Sequence, residues 1–445
     1  MRFSKNTRLF LSYVLPSMIG MLIIGSYSII DTFFIGQSAG KIGLASVAVS
    51  WPLVMLFGAV GDMLGSGSAI IISQSRGSGD IGHAKTIFGN MLCFQVIFCI
   101  TMMLGIGCFL TTLLEILGAT PDLMSGAFRY AKIMVCGSLA SMLMMGTSAV
   151  IRNDGRPILS MWLTIGGLLL NILLDYIFIF PLKGGIAGAA YATILSQAII
   201  SIIGLIYFST KYTQLRYCAE MFRLKIQNLK DIVISGIPSF GNQFAIIAML
   251  FLHNFQSLRY GGVDGLAAYT VIGAIESLGS LLMTGLALGV QPLVAYLYGG
   301  KMHLRKNVMG NMGYYTAFII GIILMIVSII GHNVFPELFN LNGNTAQIAA
   351  QGLVISSTAF LWLGVIRVAG YYYQATGKIR DSSLLIYGDA FFALPLCLFV
   401  LPHFFGLNGV WMAMPASRVI LFVICCWLWF GKKSAKVKIK YLNKI

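Results

Sequence analysis

Fourteen acidic residues are spread over 445 positions, and five of them, Asp31, Asp62, Asp175, Glu276 and Asp389, fall inside long apolar runs. An ionised carboxylate is costly in apolar surroundings, so an acid kept there marks a place where a proton, a metal ion or a charged ligand is handled. Asp31 and Asp175 have the most useful company. Asn171 lies four residues before Asp175, on the same face of a helix, and Thr193 follows in the next apolar run. Two carboxylates, an amide and a hydroxyl supply oxygen ligands suited to H+ or Na+. Carboxylates brought close together also titrate as a coupled pair, as a proton carrier requires. The same four groups would equally serve as a hydrogen-bond network locking three helices. The absence of a basic partner beside the two acids argues for the ion.

The remaining charges read differently. Glu276 has no partner in its own run, which suits either a cationic ligand or a local hydrogen bond. Asp62 sits between Gly61 and Gly65, where small residues allow close helix approach, and it is a second candidate for a ligand cavity. Arg367 and Asp389 fall about eight and about seven residues from the same ends of successive runs, and this similar depth predicts a structural ion pair between neighbouring helices. Pro16 removes a backbone hydrogen bond about four turns from Asp31, which makes it a hinge or a static kink.

These residues depend on the elements that carry them. Hydrophobic residues make up 58% of the chain, charged residues only 10%, and mean hydropathy is +0.86. A soluble domain carries about a quarter charged residues. Twelve apolar stretches lie between residues 9 and 430, each long enough for the roughly 20 residues that a helix needs to cross a bilayer. An even number of spans puts both termini on one side. With the N-terminus inside, inner segments hold 23 of the 30 Lys and Arg residues and outer segments five, so both ends are expected in the cytoplasm. With this direction fixed, and about 1.5 Å of rise per residue, Asp31, Asn171, Asp175 and Thr193 all fall in the outer half of the membrane.

The chain also repeats. At an offset of 222, Pro16-Ser17 meets Pro238-Ser239, Leu44-Ala45 meets Leu266-Ala267, and Gly67, Gly77 and Gly155 meet Gly289, Gly299 and Gly377. At 221, Gly185 and Gly188 meet Gly406 and Gly409. The reading is an all-α membrane protein of twelve transmembrane helices in two parallel six-helix repeats around a central cavity. The lobes are placed at 1–213 and 214–445, split at the charged connector near 210–231. The positions matching the four-residue cluster are His253, Ala393, Cys397 and Met414, which offer no ion pocket. The chemistry is therefore expected in one copy only.

Composition also excludes several functions. The net charge of +16 sits in short connectors rather than on a basic stripe with interleaved aromatics, so nucleic acid is not an expected partner. No Walker A pattern or soluble ATPase domain is present. Five scattered histidines form no catalytic constellation, and the eight cysteines show no CxxC spacing. No cofactor is expected, nor any metal beyond Na+ at the four-residue cluster. The lysines from Lys432 onward suit a topological anchor or contact with anionic lipid.

In order and spacing, several fragments resemble the multidrug and toxic compound extrusion (MATE) family over essentially the whole chain. They are Leu15-Pro16, Asp31-Thr-Phe-Phe-Ile-Gly36, Asn171-Ile-Leu-Leu-Asp175-Tyr-Ile-Phe178, Gly185-Ile-Ala-Gly188-Ala-Ala-Tyr-Ala-Thr193 and Gly289-Val-Gln-Pro292 before Tyr298-Gly299. The resemblance implies antiport of organic cations against H+ or Na+. The expected setting is a monomer in a bacterial or archaeal cytoplasmic membrane, surrounded by lipid. In the prokaryotic branch that includes the DNA-damage-inducible exporters, the cation site is similar to Asp31, Asn171, Asp175 and Thr193. The chain departs from other branches in having no acid in spans 7 and 10, which removes the basis for a second-lobe Na+ site. A lipid-linked oligosaccharide flippase of the same superfamily is the alternative function, kept open by Arg367 and Arg418.

Overall fold

A backbone in hydrocarbon has to satisfy its own N–H and C=O groups, which leaves a chain of this composition only helices. The computed structural model describes residues 5–442. The elements are α1 (Lys5–Ser78), α2 (Ile81–Cys108), α3 (Leu110–Ile116), α4 (Pro121–Asn153), α5 (Pro157–Ile179) and α6 (Gly185–Tyr207). After a short 3-10 turn at Ala219–Phe222 come α7 (Ile226–Gly299), α8 (His303–Ile330), α9 (Val334–Leu338), α10 (Gly343–Ser357), α11 (Phe360–Ala375) and α12 (Ile379–Gly388). A π-helical turn at Asp389–Ala393 leads into α13 (Leu394–Leu442). The lysine-rich tail expected to anchor the chain or touch lipid ends beyond the described residues, at 443–445.

Three of these helices are broken at a glycine. Gly40 in α1 and Gly262 in α7 adopt φ 59° with ψ −154° and −151°, and Gly406 in α13 adopts φ 56° with ψ −136°. Only glycine reaches that region without strain, so each marks a reversal between two crossings. The pair α10 and α11 makes one crossing bent by 47°. Divided at these glycines, the described residues make twelve crossings. Spans 1 and 2 are the halves of α1, spans 7 and 8 the halves of α7, and α13 carries the end of span 11 and all of span 12.

The repeat is written into the turns. Apart from Lys183 and Gly343, the left-handed residues described fall in pairs, four of them 222 apart: Gly40 and Gly262, Gly79 and Lys301, Gly118 and Asn340, Gly155 and Gly377. Gly185 and Gly406 follow at 221. Lys301 and Asn340 hold positive φ (56° and 55°) where the first copy uses glycine, so backbone geometry has outlasted residue identity there.

The chain forms two compact units. The first runs to Phe240 and takes in Pro292–Lys306, so it extends past the expected lobe border at residue 213. Glycine-mediated contacts explain the extension. A side chain at Gly67 would overlap the Ile232 carbonyl, one at Gly236 the Met63 carbonyl, one at Gly77 the Tyr296 carbonyl and one at Gly299 the Gln74 carbonyl. Hydrogen bonds tie the same surfaces, from Ser66 to Ser239 at 2.8 Å and from Ser73 to the Pro292 carbonyl at 3.0 Å. Asn90 holds the connector in place. Its amide donates to the Met221 and Arg223 carbonyls at 3.1 and 3.0 Å and accepts from the Lys225 N–H at 3.0 Å. At the end of span 2, Arg76 reaches Asp154 at 3.4 Å, and Tyr207 donates to the other Asp154 oxygen at 2.7 Å. The second unit comprises Gly241–Gln291 and the chain from Asn307 onward. One of its cores gathers Tyr269, Ile272, Leu353, Leu398 and Trp411.

The close contact at Gly77 gives a direct prediction. Gly77→Ala should lower the thermal midpoint of the purified protein by the equivalent of about 1–3 kcal/mol, the usual cost of overpacking. Gly20→Ala, whose added methyl meets nothing within 4 Å, should leave the midpoint unchanged or raise it.

Candidate functional site

Span 1 carries Asp31, α5 carries Asn171 and Asp175, and α6 carries Thr193. The four residues are buried within the first unit, at 7%, 0%, 0% and 5% exposure. The two α5 residues share a face because they are one helical turn apart. The tight turn between α5 and α6 brings Thr193 alongside. There the Gly184 N–H donates to the Phe178 carbonyl at 2.9 Å, and Gly188 packs against the Phe178–Ile179 backbone.

The polar atoms of this cluster are sealed from solvent and carry no hydrogen-bond partner. They are Asp31 Oδ1, both side-chain atoms of Asn171, both carboxylate oxygens of Asp175 and Thr193 Oγ1. Buried polar groups are nearly always paired, and leaving one unpaired costs about 1–3 kcal/mol. A structural network would satisfy these atoms internally. Here six side-chain atoms from span 1, α5 and α6 are left unsatisfied together.

Two tyrosines complete the surroundings, and neither was read from sequence. Tyr27 lies one turn before Asp31 on span 1 and faces Thr193 and Ser196, and its hydroxyl is also buried and unpartnered. Its i−4 spacing from Asp31 was the available signal. Tyr130, 1% exposed on α4, lies in the electrostatic field of Asp31 and Asp175. Nothing in its sequence setting marks it.

In the second unit the matching positions are filled differently. His253, in the place of Asp31, stacks on Tyr269 at 5.0 Å with the planes 5° apart, and Tyr269 stacks on Trp411 at 6.3 Å. His253 Nδ1 donates to the Met249 carbonyl at 3.0 Å. A packed aromatic column occupies that region, in contrast with the unpartnered oxygens of the first unit.

The expected ion pair between Arg367 and Asp389 is not formed. Asp389 accepts from Arg418 Nη1 of span 12, and Arg418 Nη2 lies 3.3 Å from Glu276. Arg367 instead donates to the Asn242 side-chain oxygen at 2.5 Å. Arg367 and Asp389 do share one electrostatic neighbourhood, but similar depth says nothing of azimuth. Asp389 also begins a π-helical turn, whose wider winding rotates it away from the direction a regular helix would give. Glu276 therefore has the partner that its own run lacked. Asp62 is half-buried and engaged with its protein surroundings. Pro16 is buried inside α1, which leaves helical geometry at Gly40, so the backbone passes through Pro16 as helix.

The MatE family profile matches residues 16–177 and, a second time, 238–399. The chain belongs to the MatE family. Both matches begin and end 222 residues apart, the spacing of the paired turns. Multidrug export protein MepA of Staphylococcus haemolyticus (strain JCSC1435) is 26% identical over 417 residues, covering 92% of this chain and 90% of that relative. Among solved structures, MATE in the bent conformation superposes with a TM-score of 0.89 at 22% identity, covering 99% of both chains. MATE in the straight conformation gives 0.89 and 22%, covering 99% of this chain and 98% of that one. The MatE chain described here is thus an integral membrane transporter, not an enzyme, with the family's two-lobed helical fold.

The unpartnered cluster has a stability consequence. Asp31→Asn and Asp175→Asn should each keep or raise the thermal midpoint of the purified transporter, by the equivalent of about 1 kcal/mol or more, because each removes a buried charge without a partner. A drop equivalent to about 1–3 kcal/mol in both variants would show instead that the cluster is a structural network.

Proposed function

We propose that the protein is a secondary antiporter that exports organic cations in exchange for inward H+ or Na+, captured at Asp31, Asn171, Asp175 and Thr193. The observation that carries this reading is the buried group of carboxylate, amide and hydroxyl atoms without partners in the first unit. The relative from S. haemolyticus, described as a multidrug export protein, supports the export half of it. In this scheme both termini are cytoplasmic, as the distribution of Lys and Arg indicates.

The cation works by differential binding. An ion that binds one conformation better shifts the equilibrium only by that difference in affinity. Neutralising Asp31 and Asp175 removes mutual repulsion across spans 1 and 5 and lets the helices draw together. Pro16, about four turns away on span 1, is the natural place for the helix to bend in response. Solved MATE structures in bent and straight conformations are consistent with such a motion here. Glu276 contributes an acid toward cationic substrate in the second unit, and Asp62 is a second candidate in the first.

The test is ethidium export by everted membrane vesicles. Asp31→Asn and Asp175→Asn should reduce export to the level of vesicles lacking the protein, while purified variants still bind ethidium. Wild-type export driven by a pH gradient without Na+ identifies H+ as the coupling ion, and export that needs an Na+ gradient identifies Na+. Wild-type rates in both variants would overturn the coupling role.

A further inference from the structure

The connector between the two repeats is apolar on the side where a loop in water would be polar. Within residues 212–226, Tyr212, Tyr217, Phe222, Leu224 and Ile226 all lie open, Tyr212 at 63% exposure and Ile226 at 85%. Scattered singly, such residues need no explanation, but a cluster of them rimmed by polar groups marks a surface that something covers. The rim is basic. Lys211, Arg216, Arg223 and Lys225 are exposed among the apolar residues, against a single exposed acid, Glu220.

The segment is held so that it cannot fold this face away. Leu215 and Met221 are buried beneath it, and a side chain at Gly89 would overlap the Met221 carbonyl. Tyr217 stacks on Phe88 and on Phe222 at 6.1 and 6.3 Å, and its hydroxyl donates to the Leu205 carbonyl at 3.0 Å. The Asn90 side-chain oxygen, which accepts from the Lys225 N–H, also accepts from the Asn228 amide at 3.2 Å.

These contacts set the depth of the connector. Phe88, Gly89 and Asn90 stand three to five residues beyond Lys85 in α2, and no charged residue follows them before Glu115. At about 1.5 Å of rise per residue, all three lie within about 8 Å of Lys85 along the helix. The connector is thereby fixed where the span enters the bilayer, the zone of headgroups and upper acyl chains in which aromatic and basic residues collect. Its ends are tied to the same zone by the end of α6 at Tyr207 and the start of α7 at Ile226. A basic, apolar surface suits either an acidic soluble protein or an anionic bilayer. Its depth favours the bilayer.

We infer that residues 211–226 form an interfacial lipid-binding element. Phe222, Leu224 and Ile226 enter the bilayer surface, and Arg216, Arg223 and Lys225 hold phosphates of anionic phospholipids in the adjoining leaflet, the inner one when both termini are cytoplasmic. The inference goes beyond the export reading and does not depend on it, because it concerns the bilayer rather than the transported molecule.

The test uses the full-length Ile226→Trp variant in nanodiscs and reads the tryptophan emission gained over the wild type. The nanodiscs carry either phosphatidylglycerol or phosphatidylcholine brominated near the top of the acyl chain, at equal mole fraction. Both lipids should quench the added emission. Phosphatidylglycerol should be enriched at the site about fivefold, the scale of one basic residue beside an anionic surface. Adding Arg223→Gln and Lys225→Gln should bring that ratio close to one, as should raising NaCl to about 1 M. Phe222→Trp, at a second exposed position, should give the same readings. Added emission that is quenched by iodide in the water and by neither lipid would overturn the inference and leave the face to a soluble partner. Equal quenching by the two lipids would also overturn it, as would a preference for phosphatidylglycerol that survives the loss of Arg223 and Lys225.

Discussion

In hydrocarbon, an unpaired polar atom has no water to fall back on, and this single constraint organises the protein. It dictates helices throughout and confines reversals to residues that reach unusual backbone angles, Gly40, Gly262 and Gly406 among them. It also gives the exceptions their meaning. Six unpartnered oxygen and nitrogen atoms around Asp31, Asn171, Asp175 and Thr193 would be a defect in a merely structural bundle. In a transporter of the MatE family they are the feature on which the proposed ion coupling rests.

The two copies answer the same constraint in opposite ways. The first leaves polar atoms open where span 1 meets α5 and α6. The second fills the matching space with His253, Tyr269 and Trp411 stacked in nearly parallel planes, and it moves its charges elsewhere, to Glu276, Arg367, Asp389 and Arg418. Duplication supplied the scaffold twice, while the backbone angles at Lys301 and Asn340 show that shape was kept as residues changed.

Much of this was legible in the sequence because a helix converts residue number into depth linearly. Counting residues placed Asp31, Asn171, Asp175 and Thr193 at similar heights, and in the structure all four are buried within the first unit. The same counting placed Arg367 and Asp389 at similar heights too, yet Asp389 pairs with Arg418. The difference is rotation about the helix axis, which periodicity blurs over a long apolar run and which the π-helical turn at Asp389 alters outright. Tyr130 was illegible for the same reason: α4 is apolar around much of its circumference, so nothing in sequence says which side faces span 1. The reach of the first unit into Pro292–Lys306 depends on backbone contacts at glycines. Such contacts leave only the absence of a side chain as a trace.

Those glycine contacts carry a kinetic implication. Where Gly77 meets Tyr296 and Gly299 meets Gln74, backbone lies directly on backbone. Knobs seated in holes must climb over one another before two helices can separate, and each withdrawn side chain adds to the barrier. A flat seam parts by simple sliding or lifting and closes again without searching for rotamers. The seam between α1 and residues 292–306 is therefore one in which a change of packing calls for little side-chain rearrangement.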